Sequence, residues 1–318
     1  PKSLTVSGNT ASNKVYDSNS SATVSVTLSG FVGSETLTHT NSSSFNNKNV
    51  GTGKTVTVDS ITLADGNNGG LASNYSITPG QTTTANITAK SLTISGIIAS
   101  SKTYNGSTGA TLDTSAILYS GLIPGDIFDG SYTGAFSNAN VGTGKTVTIT
   151  SSYTGGDVSN YSITNQTSTT ADISAKALTA TASASNKTYN ATNSASVTLT
   201  LSGLVGSETL GSTNTSTFNN KNVGTGKTVT VNSITLADDS GLAANYSISA
   251  GQTTTANITA KSLTVSGITA SNKTYNGNAV ATLNTGSVAY SGLVDGDTFD
   301  GTYTGAFSDK NVGTGKTV

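Results

Sequence analysis

A chain of 318 residues with a formal charge of −1 and only 10% charged residues has no basic surface to neutralise phosphates, which argues against nucleic-acid binding. It contains no Cys, Met or Trp and all fifteen basic residues are Lys, so a disulfide framework or a cysteine-based metal site is excluded. No apolar run approaches the ~20 residues of a membrane span, and small uncharged polar side chains without oxidisable sulfur suit a secreted bacterial surface protein.

The chain opens on Lys2-Ser3-Leu4-Thr5-Val6-Ser7-Gly8 and returns to that phrase at Lys90, Lys176 and Lys261, at spacings of 88, 86 and 85 residues. A period this long is a domain rather than a solenoid rung. The boundaries that follow are repeat 1 over residues 1–89, repeat 2 over 90–175, repeat 3 over 176–260 and an incomplete repeat 4 over 261–318. Ser34-Glu35-Thr36-Leu37 matches Ser207-Glu208-Thr209-Leu210, and the nine residues from Phe128 match those from Phe299, so the order is A-B-A-B. We read the chain as a fragment of a longer array.

Within repeat 1 the runs Thr23–Leu28, Thr55–Val58, Ser60–Leu63 and Thr84–Ala89 alternate apolar or β-branched residues with Ser, Thr and Asn. That period of two predicts strands with one face on a core and one in water. Turn residues separate them at Leu28-Ser29-Gly30, Val50-Gly51-Thr52-Gly53 and Asp65–Gly70. Only Leu236–Ala244 allows a helical turn. The pattern predicts an all-β chain of tandem immunoglobulin-like β-sandwich modules, with β-grasp-like modules as the alternative if that turn is a helix packed on a sheet.

The seams carry no linker. Ala85-Asn86-Ile87-Thr88-Ala89 runs directly into Lys90-Ser91-Leu92-Thr93-Ile94, with Ile87 and Leu92 an odd number of residues apart. A last strand that continues into the next first strand with its buried face rotated makes a stiff joint, unlike a Gly/Ser coil. An extended rod of modules is expected. Three aromatic positions recur: Tyr16, Tyr104, Tyr189 and Tyr275; Phe45, Phe136, Phe218 and Phe307; Tyr75, Tyr161 and Tyr246. We expect these rings to be buried within each repeat, each stabilising it by roughly 1.5–3 kcal/mol.

The order Lys-x-Tyr-Asp/Asn (Lys14–Asp17, Lys102–Asn105, Lys187–Asn190, Lys273–Asn276), Asn49-Val50-Gly51-Thr52-Gly53-Lys54, Asn74-Tyr75 and Ala85-Asn86-Ile87 resembles the YDG-type repeat modules of large bacterial secreted adhesins and filamentous-haemagglutinin-like exoproteins. The resemblance covers the whole chain. It implies a secreted or cell-surface stalk and brings no catalytic residues.

Other motifs point elsewhere. Val-Gly-Thr-Gly-Lys-Thr lacks the Gly that a phosphate-binding loop needs five residues before its Gly-Lys pair, and a strand follows it, so it reads as a turn. His39 is the sole His and supports no triad. Asp295, Asp297 and Asp300 form an acidic turn that is a candidate for weak Ca²⁺ binding; no other cofactor is called for. The expected function is therefore a non-enzymatic spacer of a bacterial adhesin. The alternative is repeats that bind glycans or associate with copies of themselves in a filament or biofilm. The sparsely charged sheet edges are expected to associate laterally or to lie under the Gly-rich loops.

Overall fold

The computed structural model describes residues 1–318. The protein is all-β: the helical elements are three single 3₁₀ turns, Ala72–Asn74, Val158–Asn160 and Ala243–Asn245. The last falls where the sequence allowed one turn, and no helix long enough to pack on a sheet accompanies it, so nothing supplies the helix of a β-grasp. No helix is long and apolar enough to cross a membrane.

Repeat 1 shows how the alternating pattern becomes a sheet. A curled sheet runs in the order Lys14–Val15, Thr82–Thr88, Gly51–Ala64, Thr38–Phe45. Val56 and Val58 are fully buried while Thr57 between them is only partly covered and the flanking Thr55 and Asp59 are exposed, as the period of two requires. The long strand Gly51–Ala64 changes register against Thr38–Phe45 between Ser42 and Ser43, a bulge that bends it. Thr5–Ala11 and Val24–Ser29 pair antiparallel as a separate two-stranded sheet, and Lys2–Ser3 lies parallel to Tyr75–Ser76. The outer edge of Thr38–Phe45 is closed by the Ser20–Ala22 segment, through Ala22 N–H to Ser43 O at 2.8 Å and Phe45 N–H to Ser20 O at 2.7 Å. The cover at that edge is thus a short polar segment of the same repeat and not a Gly-rich loop.

The Val-Gly-Thr-Gly-Lys-Thr segment opens the long strand. Gly53 sits at φ 58°, a conformation that glycine adopts without a Cβ penalty, and its N–H is capped by the Asn86 side chain at 2.7 Å. Asn257 does the same for Gly226 at 2.8 Å. The recurrent Ala-Asn-Ile motif is therefore the partner of the recurrent Gly-Thr-Gly motif.

The chain forms two compact units, one of Pro1–Thr103 with Ser107–Ser174, the other of Tyr104–Gly106 with Ala175–Val318. In the first unit Thr82–Thr88 and Lys90–Ser95 are separated by Ala89 alone. Ile87 and Leu92 are both buried, at 1% and 0% exposure, so the strand does rotate its buried face at that residue. Repeat 2 builds a five-stranded sheet in the order Lys102–Thr103, Ser168–Ser174, Gly142–Thr154, Asp129–Phe136, Gly109–Ala110, beside a three-stranded sheet of Leu118–Ser120, Lys90–Ser95 and Tyr161–Thr164. In the second unit repeat 3 repeats the sheet of repeat 1 with Lys187–Thr188, Thr253–Thr259, Gly224–Asp238 and Leu210–Phe218, and repeat 4 contains three two-stranded pairs.

The buried clusters correct one expectation. Phe45, Phe136 and Phe218 are core residues of their own repeats, as are Tyr75, Tyr161 and Tyr246. The cluster of the first unit, however, runs without a break from Tyr16, Phe45, Val56 and Ile87 of repeat 1 into Leu92, Ile94 and Tyr161 of repeat 2. Repeat 1 does not close its core alone.

Candidate functional site

The Lys-x-Tyr motif sits where a repeat ends. Lys14–Val15 pairs parallel with Ile87 and Thr88 at the close of the last strand, and the Tyr16 N–H donates to Thr88 O at 2.9 Å. The Tyr189 N–H does likewise to Thr259 O at 2.8 Å. Because the last strand leads through one residue into the next repeat, this pairing carries the tyrosine to the seam. The lysine fixes the loop that follows. The Lys187 ammonium folds back onto Thr192 O at 2.7 Å and Ser194 O at 3.0 Å, and lies 5.6 Å above the Phe218 ring. Lys14 takes Asn19 O at 2.8 Å over Phe45, and Lys273 takes Asn278 O at 2.7 Å over Phe307. A cation held over a ring face and donating to loop carbonyls gains from both interactions. Burial holds the Lys187 ammonium below its usual pKa.

A second constellation receives the tyrosine. Ile123-Pro124-Gly125-Asp126 closes on itself through Asp126 N–H to Ile123 O at 3.2 Å, with Gly125 at φ 97°. Pro followed by a glycine of positive φ is the residue order of a type II turn. The Tyr161 hydroxyl accepts the Ile123 N–H at 3.0 Å and donates to Asp126 Oδ2, clasping the turn. The same clasp joins Tyr75 to Val32 and Glu35, and Tyr246 to Val205 and Glu208.

Tyr16 enters the clasp of repeat 2. Its ring meets Tyr161 edge on, centroids 5.6 Å apart at 76°, the preferred geometry for two ring quadrupoles. Its hydroxyl donates to Asp157 Oδ1 at 3.2 Å. Asp157 also accepts Lys48 Nζ at 2.8 Å and Ile127 N–H at 2.9 Å, and Ser18 Oγ donates to Asp126 at 2.7 Å. Asn160 accepts the Val50 N–H at 2.9 Å. Residues of repeat 1 thus satisfy a buried acidic site in repeat 2. The Lys48 ammonium, with the Ile127 N–H, holds the Asp157 carboxyl below the usual range. Burial pushes Asp126 up, but hydrogen bonds from Tyr161 and Ser18 outweigh it and the net shift is down. Burial, reinforced by Asp126, pushes the Tyr161 hydroxyl up to about 12.

Within the second unit, Tyr104 donates to Glu208 Oε1 at 2.6 Å and meets Tyr246 edge on at 5.4 Å, while Tyr246 takes Oε2 of the same carboxylate. Glu208, followed by burial, pushes the Tyr104 hydroxyl up to about 12. Tyr189 donates to Asp297 Oδ1 at 3.2 Å in repeat 4. Tyr275 is 56% exposed.

Among the residues singled out from the sequence, Asp297 is used as the acceptor of Tyr189, while Asp295 and Asp300 are exposed. No group of three His, Cys, Asp or Glu side chains is gathered in a metal-ligating arrangement. Residues the sequence reading passed over are Asp126, Asp157, Asn160 and Lys48. One signal was available: an acid stands three residues after a Val or Ile in every repeat, at Glu35, Asp126, Glu208 and Asp297.

The YDG domain family matches residues 1–85, 88–171, 174–256 and 259–318. No curated protein matches the chain.

Proposed function

Because the chain belongs to the YDG domain family, we propose that its repeats are the non-enzymatic stalk of a bacterial cell-surface or secreted adhesin, spacers that hold an adhesive element away from the cell. The observation that carries this reading is the joint at Ala89, where a single residue separates two strands and Tyr16 is bonded to Asp157, 141 residues away in sequence. A spacer gains reach only if its joints resist bending, and a joint keyed by a buried ring and saturated carboxylates resists it better than a polar coil. Those carboxylates serve the joint, each taken up by Lys48, Ser18 or a tyrosine. Each duplication then adds length without a new fold. We class the repeats as immunoglobulin-like sandwiches on the strength of alternating antiparallel strands around a Phe and Tyr core.

Small-angle scattering of the parent chain and of a variant with Gly-Gly-Ser inserted between Ala89 and Lys90 tests the spacer. An extended parent and a shorter mean extension in the variant, with repeats 3 and 4 melting as before, are expected. A compact parent, or a profile unchanged by the insertion, would overturn the reading.

A further inference from the structure

Strand pairings in repeats 1 to 3 are antiparallel except between the opening and closing stretches of a repeat. In repeat 2 Lys90–Ser95 lies parallel to Tyr161–Thr164, and Lys102–Thr103 lies parallel to Ser168–Ser174. The Gln166 side chain bridges the gap between these ladders. It accepts the Ile97 N–H at 2.9 Å and donates to Ile97 O at 2.7 Å. Just before the second ladder the Asp172 N–H donates to Ser101 Oγ at 3.0 Å. The register is the same throughout: Lys90 faces Tyr161 and Thr103 faces Ser174, both pairs 71 positions apart. The two stretches therefore run side by side in one direction from Lys90 to Ser174. Leu92, Ile94 and Ile97 of the first and Ile173 of the second are buried.

The other complete repeats are built alike. In repeat 1 Lys2–Ser3 is parallel to Tyr75–Ser76 and Lys14–Val15 to Thr82–Thr88. Asn13 Oδ1 there accepts the Asn86 N–H at 2.7 Å, 73 positions on. In repeat 3 Lys176–Ala177 is parallel to Tyr246–Ser247 and Lys187–Thr188 to Thr253–Thr259. The Leu178 N–H donates to Ser247 O and the Tyr189 N–H to Thr259 O, each at 2.8 Å. In repeats 1 and 3 the Lys-x-Tyr motif thus supplies the last rungs of the pair.

The chain enters a repeat at the start of the opening stretch and leaves it at the end of the closing one. In a parallel pair these are opposite ends. Tension along the chain then slides one stretch past the other and strains every rung at once. A ladder parted from one end gives way rung by rung. Sliding also carries Leu92 and Ile173 out of their buried places. At the first joint Ala89 alone passes tension from one closing strand to the next opening strand.

We propose that the paired opening and closing stretches are a shear clamp, and that the repeats carry pulling force along the chain without unfolding. The clamp deepens the spacer reading and rests on it for its use. Its strength is a matter of the unfolding barrier under force, which folded stability alone does not set.

The test pulls one repeat of the full chain in two directions. The chain has no cysteine, so handles go on introduced ones. Ser91→Cys with Ser174→Cys grips the pair at opposite ends, and Thr103→Cys with Ser174→Cys grips it at the same end. All three positions are exposed, so each variant should melt like the parent. At a single pulling rate, repeat 2 is expected to rupture at several-fold higher force with the first pair of handles. Repeat 3 provides the same comparison, with Ala177→Cys or Thr188→Cys against Thr259→Cys, all exposed. Equal forces, or a higher force with the same-end handles, would overturn the proposal. The scattering experiment above keeps the two readings apart. An extended, insertion-sensitive chain with equal rupture forces sinks only the clamp. A compact parent with unequal forces sinks the spacer and leaves the clamp standing.

Discussion

Replacing Tyr16 with Ala separates a ring that belongs to its own repeat from one that belongs to the joint. The ring is 1% exposed, and truncating a buried aromatic to Ala costs about 3–5 kcal/mol. Its hydroxyl adds little of that. Asp157 keeps Lys48 at 2.8 Å and the Ile127 N–H at 2.9 Å when the 3.2 Å bond from Tyr16 is lost, so Tyr16→Phe should cost only about 1 kcal/mol. The cost should appear at the seam. The Val50 N–H is bonded across it to Asn160 at 2.9 Å, and the Ile123 and Ile127 N–H groups to Tyr161 and Asp157 in the receiving site. Native-state hydrogen exchange is the assay. In Tyr16→Ala, exchange at Val50, Ile123 and Ile127 should accelerate roughly a hundredfold or more, since each 1.4 kcal/mol is tenfold. The amides of Val56 and Val58 should be less affected. The reasoning fails if Val56 and Val58 lose protection while Ile123 and Ile127 keep theirs, for then Tyr16 supports its own repeat. Tyr275→Ala is the control: the same motif residue, 56% exposed, should change stability by no more than about 0.5 kcal/mol.

Phe218, at 1% exposure, lies at the centre of repeat 3, and Phe218→Ala should cost about 3–5 kcal/mol; a melting curve superimposable on the parent's would remove it from the core. Asp126 and Asp157 both have folded pKa values below the ordinary 3.8, so the unfolded state binds more protons and their contribution is complete above about pH 4 and is lost as the pH falls below it. An acid titration of the first joint followed at Val50 and Ile127 should show that loss, and Asp157→Asn should flatten it. At the alkaline end Tyr161 is raised from 10.0 to about 12. The folded state there keeps its proton longer, so this contribution is present below pH 10 and is lost between about 10 and 12, which a tyrosinate absorbance titration against Tyr161→Phe would read. Lys187→Met strips the donor from Thr192 O and Ser194 O and should cost about 1–3 kcal/mol in chemical denaturation; a midpoint equal to the parent's would show that the lysine does not hold the loop.

Much of the fold was written locally. Alternation in Thr55–Val58 fixed which side chains face inward, because a strand turns its side chains over every residue, and Val56 and Val58 are fully buried. The odd spacing of Ile87 and Leu92 told that the buried face rotates at Ala89, and the recurrence of Phe45, Phe136 and Phe218 told that these rings are core. What no local rule supplied was the fate of the tyrosine. Lys102-Thr103-Tyr104-Asn105-Gly106 and Lys273-Thr274-Tyr275-Asn276-Gly277 are the same pentapeptide, yet Tyr104 is 5% exposed and Tyr275 56%. The first reaches Glu208, 104 residues along the chain. The sequence sets the loop, through a lysine five to seven residues from the carbonyls it holds. Whether the ring that loop presents is buried depends on surface brought up by another part of the chain, and only the tertiary structure decides that.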